Sequence, residues 1–340
     1  MNQTRYSQAV TSLKGLFILI ITLHNCLLVT PLFSGVPGIA FIKLFTGPLA
    51  NSMFFILSGF LLSGNYRDRI RQHALPFRDY LLRRLKKLYP MFILSNAVLL
   101  VIEIIRYGAS AINIKKIAFT ALLLGSPYNN PTWFLSVLFA CYILFFALCH
   151  FAKSPTHYIS GLVIAVCAGY SLMNEELKIL FMGPAYGTGY MCFFLGCVLA
   201  EVYPLISEKL HRLLQPLFLV LLPLLTYLML SYGVEIISGD PKVSFPFVIC
   251  PMILYLALVK GPCRKILELK WLVFLGKISS NIFFWHLVLY LAFCDLYAAF
   301  TGGGTPGEVH YFVYLVLLIL FCAGLSKLEA GKSAPQYSKP

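Results

Sequence analysis

Ten apolar runs, each about the 17–25 residues a helix needs to cross the hydrocarbon core of a bilayer, leave this chain few folds to choose from. They lie near 13–31, 44–64, 88–106, 132–150, 158–174, 179–200, 213–233, 244–260, 278–299 and 310–326. In lipid every backbone polar group needs an internal partner, so such runs become helices or a closed barrel. They lack the polar/apolar alternation of barrel strands. The expected fold is all-α, a polytopic transmembrane helical bundle of about ten spans. With 59% hydrophobic and 12% charged residues, 340 residues could not cover the surface of a soluble domain. The expected organisation is one membrane-embedded domain over 1–326 and a short, disordered cytoplasmic tail over 327–340. The ten cysteines, scattered through apolar segments without tight spacing, read as small hydrophobes. The run from Gly15 to Thr30 is too long for a signal peptide, holds His24 and Asn25, and lacks a small-residue cleavage site.

The net charge is +14, and eight of the 27 Lys and Arg fall between Asn65 and Pro90. With the N-terminus inside, 21 of the 27 lie in cytoplasmic pieces and 6 outside, which argues for both termini cytoplasmic. Basic residues placed this way serve topology and anionic lipid headgroups rather than nucleic acid. They also make the loop between the second and third spans a landing place for a cytoplasmic ligand that carries phosphate. Ile117–Gly125 is apolar but too short to span, and reads as an external re-entrant or interfacial piece. It leads to Trp133, expected at the outer interface where Trp is enriched. The run from Thr301 to Gly307 (TGGGTPG) reads as a turn.

Ionisable groups inside a span are costly and become functional candidates by default. His24 lies ten residues after Lys14, ~15 Å deeper at the helical rise. A neutral imidazole there suits a general base or a packing hydrogen bond. His286 follows Trp285 in the ninth span, where a structural hydrogen bond is the plainer reading. Glu103 and Asp295 lie toward the external ends of their spans and read as structural. Arg83 and Arg84 share a helix face with Lys87 through spacings of four and three, a geometry that grips phosphate or anchors a span. Ser58 and Gly59 are small enough to let two helices approach, with substrate contact a secondary role for Ser58.

Taken in order, these pieces resemble the acyltransferase 3 family of multi-pass membrane acyltransferases that decorate cell-surface sugars. LKGLFILIITLH, from Lys14 to His24, is similar to the family's opening basic residue, apolar run and histidine. Phe54, Phe55, Ser58, Gly59, Phe60 and Leu61 resemble its FFxxSGFLL signature. RRLKKLYP resembles its RxxRLxP element, with Arg84 and Lys87 in the paired places. WFLSVLFACYIL resembles its Trp-led fourth span, and LGKISSNIFFWH the element that ends in a histidine, here His286. Three departures stand out. Nine residues separate Lys14 from His24 where the family usually has ten, which turns the pair ~80° apart instead of ~20°. Lys87 replaces an Arg and its planar fork. Leu138 and its neighbours offer no carboxylate where polysaccharide-modifying members often carry Glu.

The resemblance implies transfer of an acyl group, most often acetyl, from cytoplasmic acyl-CoA to a hydroxyl of a cell-surface polysaccharide or its glycan precursor. It implies no metal, and a place in the plasma or bacterial inner membrane. Catalytic roles then fall on His24, His286 and Ser58, and acyl-CoA binding on Lys14, Arg83, Arg84 and Lys87. Partners expected are acyl-CoA, the glycan acceptor and membrane lipid, with homo-oligomerisation left open. The alternative is a transporter or flippase for a glycan or lipid-linked intermediate; no matching pair of broken spans supports it.

Overall fold

The computed structural model describes residues 3–36, 38–124, 127–175, 179–232 and 241–332. It is an all-α polytopic bundle in which, among the described residues, nine helices are long and apolar enough to cross a membrane. In chain order the helices are α1 (Gln3–Val29), α2 (Ile39–Arg71), α3 (Phe77–Tyr107), α4 (Ile114–Ala121), α5 (Trp133–Phe151), α6 (Pro155–Met173) and α7 (Pro184–Val202). They continue with α8 (Glu208–Tyr232), α9 (Pro241–Ser244), α10 (Cys250–Leu258), α11 (Pro262–Leu267), α12 (Lys270–Thr301) and α13 (Glu308–Lys332). The last helix runs past Lys327 to Lys332, and the rest of the expected tail lies outside the described residues.

Nine of the ten expected spans are these long helices. The eighth is shorter, an apolar stretch over Phe245–Leu258. It opens with a π-turn at Phe245–Ile249 and carries Pro246 and Pro251, each of which removes a backbone donor. Nearly all of α10 is buried, as suits an apolar helix too short to span alone.

The basic stretch between the second and third spans is not a loop. α2 continues to Arg71 and α3 starts at Phe77, so most of the cations stand on helix ends that project beyond the apolar runs. Nothing in NYRDRIR or RDYLLRRLKK breaks a helix, and outside lipid the charges cost nothing. The chain turns only at His73, which takes a positive φ of 54°, and at Pro76.

The segment after α3 folds back into the bundle. α4, at eight residues, reaches only ~12 Å along its axis and cannot cross. The Tyr89 hydroxyl donates to the Ala121 carbonyl at 2.7 Å. Further on, Asn129 N–H donates to Asn96 Oδ1 (2.8 Å), and Asn129 Nδ2 donates to the Phe284 carbonyl (2.8 Å). Asn96 and Phe284 lie well inside α3 and α12, so the re-entrant reading holds; Gly125 itself lies outside the described residues. α5 therefore begins inside the bundle. Trp133 packs on Phe55, halfway along α2, and not at the outer interface, because polar groups of α3 and α12 replace water for the incoming loop.

Glycine sets the closest contacts. α6 and α2 both pack on α7, and α1 packs on α12. Gly59 of α2 rests on the Phe193 carbonyl of α7, and Gly169 of α6 lies on Met191 and Gly187. A Cβ on Gly15 of α1 would meet the Gly276 nitrogen of α12 at 2.7 Å. Ion pairs reinforce the helix ends: Arg67 of α2 binds Glu201 of α7, which also accepts from Ser63. Arg106 of α3 holds Asp295 of α12 with two bonds, at 2.7 and 3.0 Å. Gly302 and Gly303, at positive φ, close the turn after α12.

Replacing Gly15 or Gly276 with Val should lower the thermal midpoint of the purified protein, at a cost of about 1–3 kcal/mol for overpacking. Gly64→Ala, with open space around its Cα, should leave the midpoint unchanged or slightly raised. Size-exclusion recovery after a heating series reads both.

Candidate active site

Five cations from three helices line one cavity of about 430 Å³. Lys14 comes from α1; Arg83, Arg84 and Lys87 from α3; and Lys277 from α12. Among the described residues no Asp or Glu lines it. The four cations expected to bind the donor are thus brought together, with Ser58 beside them, and Lys277 joins them. Helix geometry explains the grouping. Spacings of three and four turn Arg83, Arg84 and Lys87 toward one side of α3. The Gly15–Gly276 contact then sets Lys14 and Lys277, each the neighbour of a glycine, on the same crossing.

Among the described residues, no carboxylate pairs with the buried Arg84. Its guanidinium stacks on Tyr80 at 3.8 Å, lies over Tyr66 at 4.3 Å and faces Tyr142 at 5.2 Å, while Nη1 donates to the Tyr80 carbonyl at 2.5 Å. Tyr80 is itself held by a hydrogen bond to the Tyr142 carbonyl. Ring faces stabilise the cation without cancelling its charge. Ser58 belongs to the lining, and its hydroxyl donates to the Phe54 carbonyl at 2.7 Å.

The cavity ends against aromatic rings. Phe134 packs edge-on to Phe54 (6.2 Å) and to Phe283 (5.7 Å), and all three belong to its lining. His24 and His286 do not line it. His286 is fully buried: Nδ1 donates to the carbonyls of Phe283 (2.9 Å) and Ile282 (3.1 Å). That leaves Nε2 to accept from Asn25 Nδ2 at 3.2 Å. Both ring nitrogens are engaged.

His24 is half-buried and faces α2. Thr46 donates its proton to the Ile42 carbonyl (2.6 Å), so its oxygen accepts from His24 Nδ1 at 3.2 Å. A general base needs the tautomer that leaves Nε2 with a lone pair. The ring lies on Gly47, where a Cβ would stand 2.5 Å from Nε2. Gly47 is eleven residues from Ser58 on α2, ~16 Å along the axis, so Ser58 and His24 cannot touch one reacting atom together. Ser58 belongs to the cavity; His24 lies beyond its aromatic end, with Asn25 linking that level to His286.

Sequence reasoning missed Lys277, the tyrosine cage and Asn25. Lys277 sits inside the quoted LGKISSNIFFWH element, and Tyr80 precedes Arg84 by four, so both left a trace. Tyr66 and Tyr142 reach Arg84 from α2 and α5, which no local spacing announces.

Arg84→Lys should reduce the thermal stabilisation given by pyrophosphate at low salt, with about a tenfold loss of affinity, because a point charge replaces the stacked fork. A thermal-shift titration of wild type and variant reads the loss.

A family model described as an acyltransferase domain (Acyl_transf_3) matches residues 8–327. No curated protein and no solved structure matches the chain.

Proposed function

The chain belongs to the acyltransferase 3 family and is a membrane acyltransferase; from that premise we propose that it moves an acyl group, acetyl in the first instance, from cytoplasmic acyl-CoA to a hydroxyl of a cell-surface polysaccharide or its glycan precursor. The observation that carries the donor assignment is the cavity with five cations and, among the described residues, no acid in its lining. A multiply phosphorylated donor supplies the missing negative charge, and its thin arm suits a passage between helices.

In this reading the phosphates stay with Lys14, Arg83, Arg84 and Lys87 while the arm extends past Phe54, Phe134 and Phe283 toward His24. Those rings must part for the thioester to arrive. His24 Nε2 then takes the proton of the acceptor hydroxyl as the oxygen attacks the thioester carbon. The C–S bond breaks, and the thiolate leaves with the proton returned by the imidazolium. In this reaction Thr46, 3.2 Å from Nδ1, takes the Nδ1 proton's hydrogen bond, and Nε2 is the nitrogen that works. His286 keeps Asn25, and with it α1, in register against α12.

The test is release of CoA from acetyl-CoA by the purified chain, with and without a glycan acceptor. His24→Ala should cut acceptor-dependent release by about 10²–10⁴-fold, the usual range for a lost general base, while the melting profile stays close to wild type. Undiminished acylation by that variant would remove His24 from the mechanism.

A further inference from the structure

Two imidazoles outside the candidate active site meet where α2 and α5 end. His73 stands in the turn after α2 and His150 in the last turn of α5, with ring centres 4.8 Å apart and planes at 85°. Both residues are exposed, and both line an open groove of about 540 Å³. Among the described residues neither ring has a hydrogen-bond partner. The backbone holds His73 in place. At a φ of 54° its N–H donates to the Ile70 carbonyl at 2.9 Å, and the Ala74 N–H donates to the Arg69 carbonyl at 2.9 Å. Glycine or asparagine usually fills that left-handed position, so a histidine is not what ending a helix alone would select.

We propose that His73 and His150 chelate one divalent first-row transition-metal ion, which ties the α2–α3 turn to the end of α5. The centre of an imidazole lies close to its Cβ–Cγ axis, so turning χ2 swings the nitrogens while the 4.8 Å between centres persists. With metal–nitrogen bonds of ~2.0–2.1 Å the ion stands ~3.2 Å from each ring centre, and 4.8 Å then subtends ~97° at the metal. That lies between the right angle of an octahedral site and the tetrahedral angle. Among the described residues no third His, Cys, Asp or Glu completes a cluster, so water or a small ligand in the groove fills the other positions. Neutral imidazole suits Zn²⁺, Cu²⁺ and Ni²⁺. Two helix C-termini converge on the pair, and that end of the helix dipole favours a cation. Arg71 and Arg78, on either side of the turn, oppose it and keep the affinity modest.

The clamp acts on its surroundings through packed rings. His150 stacks on Phe146 (5.6 Å, 16°), Phe146 packs on Phe77 (5.0 Å) and Tyr80 (5.3 Å), and Tyr80 carries Arg84. An ion that joins His73 to His150 therefore braces the first turns of α3 against α5, behind the tyrosine cage. This inference does not depend on the identity of the donor or the acceptor.

The test titrates Ni²⁺ into the purified, tag-free full chain in neutral detergent, by calorimetry and by thermal shift. Ni²⁺ is the probe because thiolates select Zn²⁺ more readily. Wild type should gain stability with saturation below about 1 mM, reversed by EDTA. His73→Gln and His150→Gln should each weaken Ni²⁺ by about tenfold or more, and the double variant little further, since one imidazole cannot chelate. His150→Phe keeps the stack on Phe146 without a ligand nitrogen. It should melt like metal-free wild type and lose the Ni²⁺ response, and it stands in should a Gln variant fail to fold. His157→Gln, in the first turn of α6, should change nothing. Ni²⁺ affinity kept by His150→Phe or by the double variant makes the pair packing alone and overturns the site. So does a wild type without response up to about 1 mM, or a response lost in His157→Gln.

Discussion

Close backbone contact at glycine is what the rest of this bundle depends on. Helices in lipid gain nothing from hiding apolar surface against one another, so they associate through packing and polar contact. Gly15 against Gly276 lets α1 and α12 approach to where a single methyl would clash. Because Lys14 and Lys277 adjoin those glycines, the contact that joins the two helices also sets two cations on one cavity. Gly59 on Phe193 does the same for α2 and α7, and steadies the helix that presents Ser58 and Tyr66 to the site. Stability and site geometry share these contacts, so neither can be altered alone.

The electrostatics follow from where the acids went. Glu201 is engaged by Arg67 and Ser63, Asp295 by Arg106, and Glu268 by Arg264, all at helix ends. None of these carboxylates reaches the cavity lining. Arg84 is instead solvated by three phenol rings, which a weakly hydrated, planar guanidinium tolerates better than an ammonium would. A carboxylate in that place would have neutralised the site, whereas rings leave its field available to a ligand. A passage that conducts cations would want the opposite sign, so the sign of the lining itself argues for anion capture.

Much of this architecture was legible in the order of residues, for identifiable reasons. Hydropathy located the spans, since lipid imposes a length and a polarity that the chain cannot evade. Spacings of three and four placed Arg83, Arg84 and Lys87 together because a helix has a fixed period. Helix ends were misjudged because the α-helix does not stop where the hydrocarbon does: α2 and α3 carry their charges onward as helix. Trp133 was misplaced because its preference for interfaces is an average, while its position here is set by Asn129 bonding to Asn96, thirty-three residues away. Lys277 looked like one more positive-inside residue until a crossing of two distant helices brought it beside Lys14.

The phase of α1 decides how the two halves of the site communicate. Eleven residues bring a helix back to nearly the same face, and the residue eleven after Lys14 is Asn25. Asn25 is accordingly the side chain that faces α12 and meets His286, while His24, one residue earlier, is turned by ~100° onto Gly47 of α2. Lys14 on the cavity and Asn25 thus share one face of α1, and Asn25 and His286 form an amide–imidazole pair outside the cavity lining. The His24 imidazole lies around the helix, in the seam between α1 and α2. α2 is weakest as a helix at that point, since Pro48 donates no hydrogen bond to the preceding turn. In the proposed reaction a donor held in the cavity would turn into that seam to reach His24, beside the Gly47–Pro48 step of α2.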